Sequence, residues 1–300
     1  MKKLLLFFLC LAQLGVAQQV NVLSMEKLKE TENGGYFYPR ISPNSDYLLM
    51  TKANYQGLVH MNLTDKSIKT LNEDPGAGYG VQISDDGTSV LYKKVNLVHN
   101  RRHNSLISQS MQTGEKKVLV NPTREAITGD FVNSQPAYVQ GRKMVRAQSQ
   151  TKTTQRVITI EDRKMVLYTN GTRKEIVPNG KDASYFWASI SPDGKRIAYT
   201  VAGKGTFICG IDGRNVKSLG KLSAPKWPGN NFLVVMDDID DGEKLISSTV
   251  LIVSVDGKTK NRLETPQGIN AMYPSASKDG SKIAFNTDKG EIYIVNVELK

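Results

Sequence analysis

Few residue types able to do acid–base, nucleophilic or metal chemistry occur in this chain of 300 residues. Its histidines are His60, His99 and His103. The last two stand four apart in HNRRH, the spacing that sets two ligands on one helix face. Zinc chemistry of that kind also needs a glutamate directly after the first histidine. Asn100 follows instead, in a stretch patterned as strand and loop, so the pair reads as surface loop. The acidic run from Asp237 to Asp241 ahead of Gly242 invites calcium. A calcium loop places oxygen ligands at its first, third and fifth positions before the glycine, and Ile239 breaks that alternation. A solvated hairpin tip is expected. No G-x-S-x-G occurs, so no serine nucleophile of that kind is predicted. The sequence assigns no catalytic residue, no metal ligand and no cofactor.

A second group of candidates is defined by spacing. Tyr38, Trp187 and Tyr273 stand four residues before a recurring serine; Arg40, Gln82 and Lys226 stand two before the same position. Aromatic and polar groups brought together in a concave surface are what ligand recognition requires. The competing reading for the aromatics is packing between neighbouring sheets.

The elements that must position them recur along the chain. Tyr185 to Thr200, YFWASISPDGKRIAYT, reads as two short strands about a tight turn on Ser191-Pro192-Asp193-Gly194. Pro192 presets the first central φ, Gly194 takes a positive φ, and Ser191 is expected to bond a backbone N–H two residues on. Strong copies start at Tyr38, Gly80 and Tyr273, anchored on Ser42, Ser84 and Ser277; weaker ones start at Gln135 and Ala224. Prolines three residues before the anchor (Pro39, Pro274, Pro136 and Pro225) support the set. The six anchors fall at 42, 84, 139, 191, 228 and 277. Strand patterning with a period in this range is the signature of a β-propeller. The expectation is all-β: six four-stranded blades forming one domain over residues 18–300. The last blade, ending in EIYIVNVEL, lacks a fourth strand, and Val20 to Lys29 have nothing of their own to pair with. That segment is therefore expected to complete the last blade and close the ring, removing an exposed sheet edge.

Residues 1–17 carry Lys2 and Lys3, an apolar run LLLFFLCLA, and small residues at Gly15 and Ala17. This is the pattern of a secretory signal peptide, too short in its apolar part to anchor in a bilayer. Cleavage after Ala17 removes Cys10, leaving Cys209 as the one cysteine and excluding an internal disulfide. The expected location is periplasmic or otherwise exported. Without Lys2 and Lys3 the formal charge falls from +11 to +9. Basic pairs such as Arg101-Arg102, Lys116-Lys117, Arg163-Lys164 and Arg173-Lys174 are scattered and read as solvated strand ends; the alternative is affinity for an acidic partner surface or anionic envelope polymer. An exported chain is not expected to bind nucleic acid.

The copies ISPDGKRIAY, ISPNSDYLLM, ISDDGTSVLY and ASKDGSKIAF resemble the repeats of TolB-type periplasmic β-propellers, over roughly Tyr36 to the C-terminus. The resemblance implies a six-bladed ring. TolB itself carries an N-terminal α/β domain for which this sequence leaves no room, so contacts made through it are not carried over. Some related propellers are lyases with metal-bound histidines around the channel, and the three histidines here do not match that arrangement. The resulting expectation is a non-enzymatic propeller, monomeric alone. It would bind a protein segment, peptide or envelope glycan through its channel face. The alternative is a glycan lyase or hydrolase centred on the channel.

Overall fold

The computed structural model describes residues 19–28, 34–146 and 153–300. The expected leader lies outside them. Among the described residues, no helix is long and apolar enough to cross a membrane.

The strands form seven antiparallel sheets. Blade 1 comprises Phe37–Ile41, Tyr47–Lys52, Gln56–Asn62 and Ile68–Asn72; blade 2 comprises Gln82–Ile83, Ser89–Val98, Arg101–Ser110 and Lys116–Thr123. Blade 3 has three strands, Ile127–Val132, Gln135–Gln140 and Lys143–Val145, as does blade 4, with Arg156–Glu161, Lys164–Thr169 and Thr172–Ile176. Blades 5 and 6 span Tyr185–Gly220 and Ser223–Arg262, and blade 7 starts with Ala271–Ala276. The chain is a seven-bladed β-propeller.

The expected count of six is therefore wrong, and the error lies between Ser84 and Ser191. The segment QPAYVQ was read as an inner strand; it is the second strand of blade 3. Its partner, ITGDFV, precedes it across a two-residue turn in which Asn133 and Ser134 both have positive φ. The overlooked blade is blade 4. Its hairpins turn on Asp162-Arg163 and Asn170-Gly171, all with positive φ. Such turns match the right-handed twist of the strands without a serine-anchored motif, so the serine-anchored repeat does not mark this blade. Four strands per blade also fails for blades 3 and 4 among the described residues.

Ring closure is as expected. Val20–Lys27 pairs antiparallel with Ile292–Leu299, with a bulge between Val22 and Ser24. Gln19 and Lys300 exchange backbone hydrogen bonds of 2.9 and 3.0 Å. Val20 and Met25 pack on the core of blades 6 and 7, and Leu28 is buried between blades 7 and 1. Val22, opposite Val297 on this outer strand, is exposed.

The middle strands are nearly continuous apolar runs because blades stack face to face. Leu48, Met50 and Val59 of blade 1 meet Ala284, Ile292 and Ile294 of blade 7. On the other face, Leu49 and Leu58 meet Val90, Tyr92 and Ile107 of blade 2. Between blades 1 and 2, Asp74 accepts hydrogen bonds from Tyr92 and Lys116, both 2.6 Å, and pairs with Lys94 at 3.0 Å. Burial would raise its pKa, but these donors outweigh it and hold the carboxyl at about 2.

The anchoring serines work differently from the expectation. Ser191 Oγ donates to Asp193 and accepts from the backbone N–H of Arg196, five residues on; Asp193 takes the N–H two residues on, from Lys195. Ser84 with Asp86 and Ser277 with Asp279 repeat this. Gly194, Gly87 and Gly280 follow with positive φ as predicted. In blade 1 that place belongs to Ser45, with φ 59, whose buried hydroxyl has no hydrogen-bond partner. Ser45→Gly is therefore expected to stabilise the fold by about 1 kcal/mol, relieving left-handed strain and an unsatisfied hydroxyl together. Urea denaturation checks this; an unchanged or lower midpoint contradicts it.

Candidate functional site

The inner strands of four blades carry the same local distortion. At Tyr38, Trp187, Ala224 and Tyr273 the φ is 50 to 53°, each beside an irregularity in pairing to the second strand. Gly80, with φ 70, holds the equivalent place in blade 2. A side-chain-bearing residue costs about 1–2 kcal/mol in this region, and bulges re-aim side chains next to functional sites. Here they aim at the ring's centre.

A central cavity of about 780 Å³ results, lined by all six predicted residues: Tyr38, Arg40, Gln82, Trp187, Lys226 and Tyr273. Packing between neighbouring blades holds for two of the aromatics. Tyr38 stacks on Tyr55 at 4.4 Å and packs on Tyr273 of the neighbouring blade at 4.6 Å; Tyr55 meets Tyr79 edge-on at 5.1 Å. Trp187 instead leaves 43% of its surface exposed. Across the cavity Trp227 carries the Arg196 guanidinium at 5.7 Å.

The lining also includes residues that sequence reasoning missed: Tyr55, Tyr79, Trp227, Lys93 and Asp130. Tyr55 and Tyr79 lie outside the inner strands, on the turn after Tyr47–Lys52 and on the link between blades 1 and 2. Asp130 sits in Ile127–Val132, the inner strand of blade 3, which no serine-anchored repeat marks. Arg40, Lys93 and Lys226 all have pKa values lowered by burial, Lys226 also by the neighbouring Arg40 charge and Lys93 by Arg102. The Asp130 side chain is exposed to the channel, and the walls around it push its carboxyl up to about 6. The Phe131 N–H on its Oδ1 opposes this, while the Asp85 charge adds to it.

A carboxyl whose folded pKa lies above its unfolded value destabilises the fold once ionised. The cost grows from its ordinary 3.8 up to about 6 and stays in full above that. Asp130→Asn is thus expected to melt higher than the parent near pH 8 and with it near pH 3.5. Thermal melts at both pH values test this; equal melting near pH 8 contradicts it.

None of the histidines lines the cavity. His60 packs on Tyr47 in blade 1, and His99 and His103 lie at the blade 2 hairpin tip. No cluster of three His, Cys, Asp or Glu suited to a metal exists among the described residues. In the acidic hairpin, Asp237 pairs with Arg262 at 2.9 Å, Asp238 accepts from Ser223, and Asp240 and Asp241 accept backbone N–H groups of the turn. Cys209 is buried, with its thiol pushed up to about 12 by that burial and by Asp212.

No protein-family model matches the chain, and no curated protein matches it. Solved structures do. TolB from Acinetobacter baumannii superposes with a TM-score of 0.57 at 17% identity, over 82% of this chain and 58% of that one. The shared fold is the propeller. The chain thus spans less than two thirds of that TolB. The β-propeller domain of Cps50 (Swd1) from Myceliophteria thermophila gives 0.57 at 11% identity, covering 92% of this chain and 100% of that one. Oligogalacturonate lyase from Vibrio parahaemolyticus gives 0.50 at 15% identity, over 89% and 79%.

Proposed function

We propose that this chain is an exported, non-enzymatic propeller that holds a protein segment or cell-envelope component in its central channel. The observation that carries the reading is the cavity itself. It is large enough for a ligand, walled by aromatics and cations from several blades, and aimed inward by strained bulges repeated around the ring. The likeness to TolB and to a Swd1 propeller domain supports a binding role on the level of fold. Periplasmic residence is proposed from the leader pattern of residues 1–17.

The second reading, a channel-centred lyase or hydrolase, has one observation in its favour: Asp130, a channel carboxyl titrating near neutrality. A general acid or base needs partners within reach; Asp130 accepts the Phe131 N–H and forms no hydrogen bond with another side chain among the described residues. Capture from envelope extract, by parent protein, Trp187→Ala and Leu97→Ser, tests the first reading. Leu97 is an exposed residue on the blade 2 hairpin. A partner retained by the parent and Leu97→Ser but lost by Trp187→Ala is expected. Equal retention by all three places binding elsewhere, and glycan turnover abolished by Asp130→Asn reverses the ranking.

A further inference from the structure

The charges of the channel are unbalanced, and the imbalance points to a ligand class. Arg40, Lys93 and Lys226 come from blades 1, 2 and 6 and line one cavity. None forms an ion pair among the described residues; Lys93 instead stands 4.9 Å from the centre of the Tyr79 ring. Elsewhere in this protein, cations near the core are given carboxylates. Lys94 and Lys116 share Asp74, and Arg173 reaches Glu161 at 2.7 Å. The channel's carboxylate, Asp130, does not serve this way: its Oδ1 accepts the Phe131 N–H, and it forms no ion pair among the described residues.

Arg40 and Lys226 occupy the same place in the repeat, two residues past the left-handed bulge. Gln82 and Ser189 occupy that place in blades 2 and 5, and all four face the cavity. Side-chain N–H and O–H donors thus recur at one level of the ring. The Ser189 hydroxyl is buried and has no partner. Partly enclosed cations without a counter-ion are costly, and an unmatched donor is costly as well. A bound anion offsets both.

Resting on the channel reading above, we propose that Arg40, Lys226 and Lys93 form an anion-binding subsite that takes the carboxylates of an acidic protein segment. The tyrosine wall favours a peptide over a polyuronate. Tyr38 is covered by Tyr55 and Tyr273, Tyr79 takes the edge contact with Tyr55, and Lys93 lies over Tyr79. Tyr38, held between two rings, offers little face for stacking on a sugar, although Tyr79 keeps 53% of its surface exposed. Trp187 stays exposed to receive an apolar side chain, and glutamate or aspartate stems are long enough to reach cations around it.

Fluorescein-labelled hexaglutamate, followed by anisotropy with the mature chain, is the probe. It is expected to bind, and to weaken several-fold between about 50 and 200 mM salt. Arg40→Gln and Lys226→Met are each expected to weaken it roughly tenfold, a loss of about 1.4 kcal/mol, whereas Arg101→Gln at the distant hairpin tip leaves it unchanged. Lys226→Arg, which keeps the charge, should keep binding and guards against a folding defect in Lys226→Met. Absence of hexaglutamate binding at low salt, or parent-like affinity in the Arg40→Gln, Lys226→Met double variant, overturns the proposal. So does tight binding of trigalacturonate with hexaglutamate silent, which makes the subsite a glycan site. Inorganic phosphate binding as tightly as hexaglutamate reduces the subsite to a general anion site and also overturns it. A partner captured through Trp187 but indifferent to Arg40→Gln and Lys226→Met would sink this inference alone and leave the channel reading standing.

Discussion

A chain starting at residue 31 is expected to lose a large part of its stability and to aggregate. It lacks the strand Val20–Lys27, which fills the outer edge of the last blade. Val20, Met25 and Leu28 then leave the core. At roughly 1.5–3 kcal/mol for a fully buried apolar side chain, with Leu28 buried and Val20 and Met25 partly so, about 3–5 kcal/mol is lost, against a native stability of about 5–15 kcal/mol. The strand Ile292–Leu299 is left with an open row of N–H and C=O groups, a template for intermolecular pairing. Thermal melting and size-exclusion chromatography beside the mature protein check this. Equal melting temperature with a monomeric profile would show that closure contributes nothing.

Phe285→Ala is expected to cost about 3–5 kcal/mol, in the range for emptying a large core site. Phe285 is fully buried in the second strand of blade 7 and stacks on Tyr293 with centroids 5.2 Å apart and planes 4° from parallel. It belongs to a cluster that also includes Val234 and Ile252 of blade 6 and Val295 of blade 7. These are β-branched residues on fixed backbones, so the cavity has little freedom to collapse. Urea denaturation gives the value; a loss below about 1 kcal/mol would mean that the blade repacks.

How much of this was legible in the sequence differed from blade to blade. Blades 1, 2, 5 and 7 announced themselves because each first turn uses a serine, an aspartate or asparagine, and a positive-φ residue to finish one hydrogen-bonded device. Blade 4 turns on residue pairs with positive φ, of which Asn170-Gly171 was the readable one. Its alternating strands, RVITIE and KMVLYT, carried the remaining signal. The six channel residues were legible because the bulge puts them at a constant offset from the serine. Tyr55, Tyr79 and Lys93 follow no such offset: their place depends on how neighbouring blades lean together. The Ser45 hydroxyl, buried and unpartnered, could not be foreseen from a turn that otherwise fits its motif.

The seam between the first and last strands also sets how this ring responds to pulling. Val20 lies opposite Leu299 and Lys27 opposite Tyr293, so both strand ends nearest the termini lie at the same end of the seam. Antiparallel hydrogen bonds run perpendicular to the strands. Tension applied through the termini therefore loads these bonds one pair at a time, beginning with Gln19 and Lys300, and the seam peels instead of shearing. A ring closed in this way resists heat through cooperative burial and yields to directed force at its seam, so a tether that bears mechanical load is better attached elsewhere on the propeller than at its two ends.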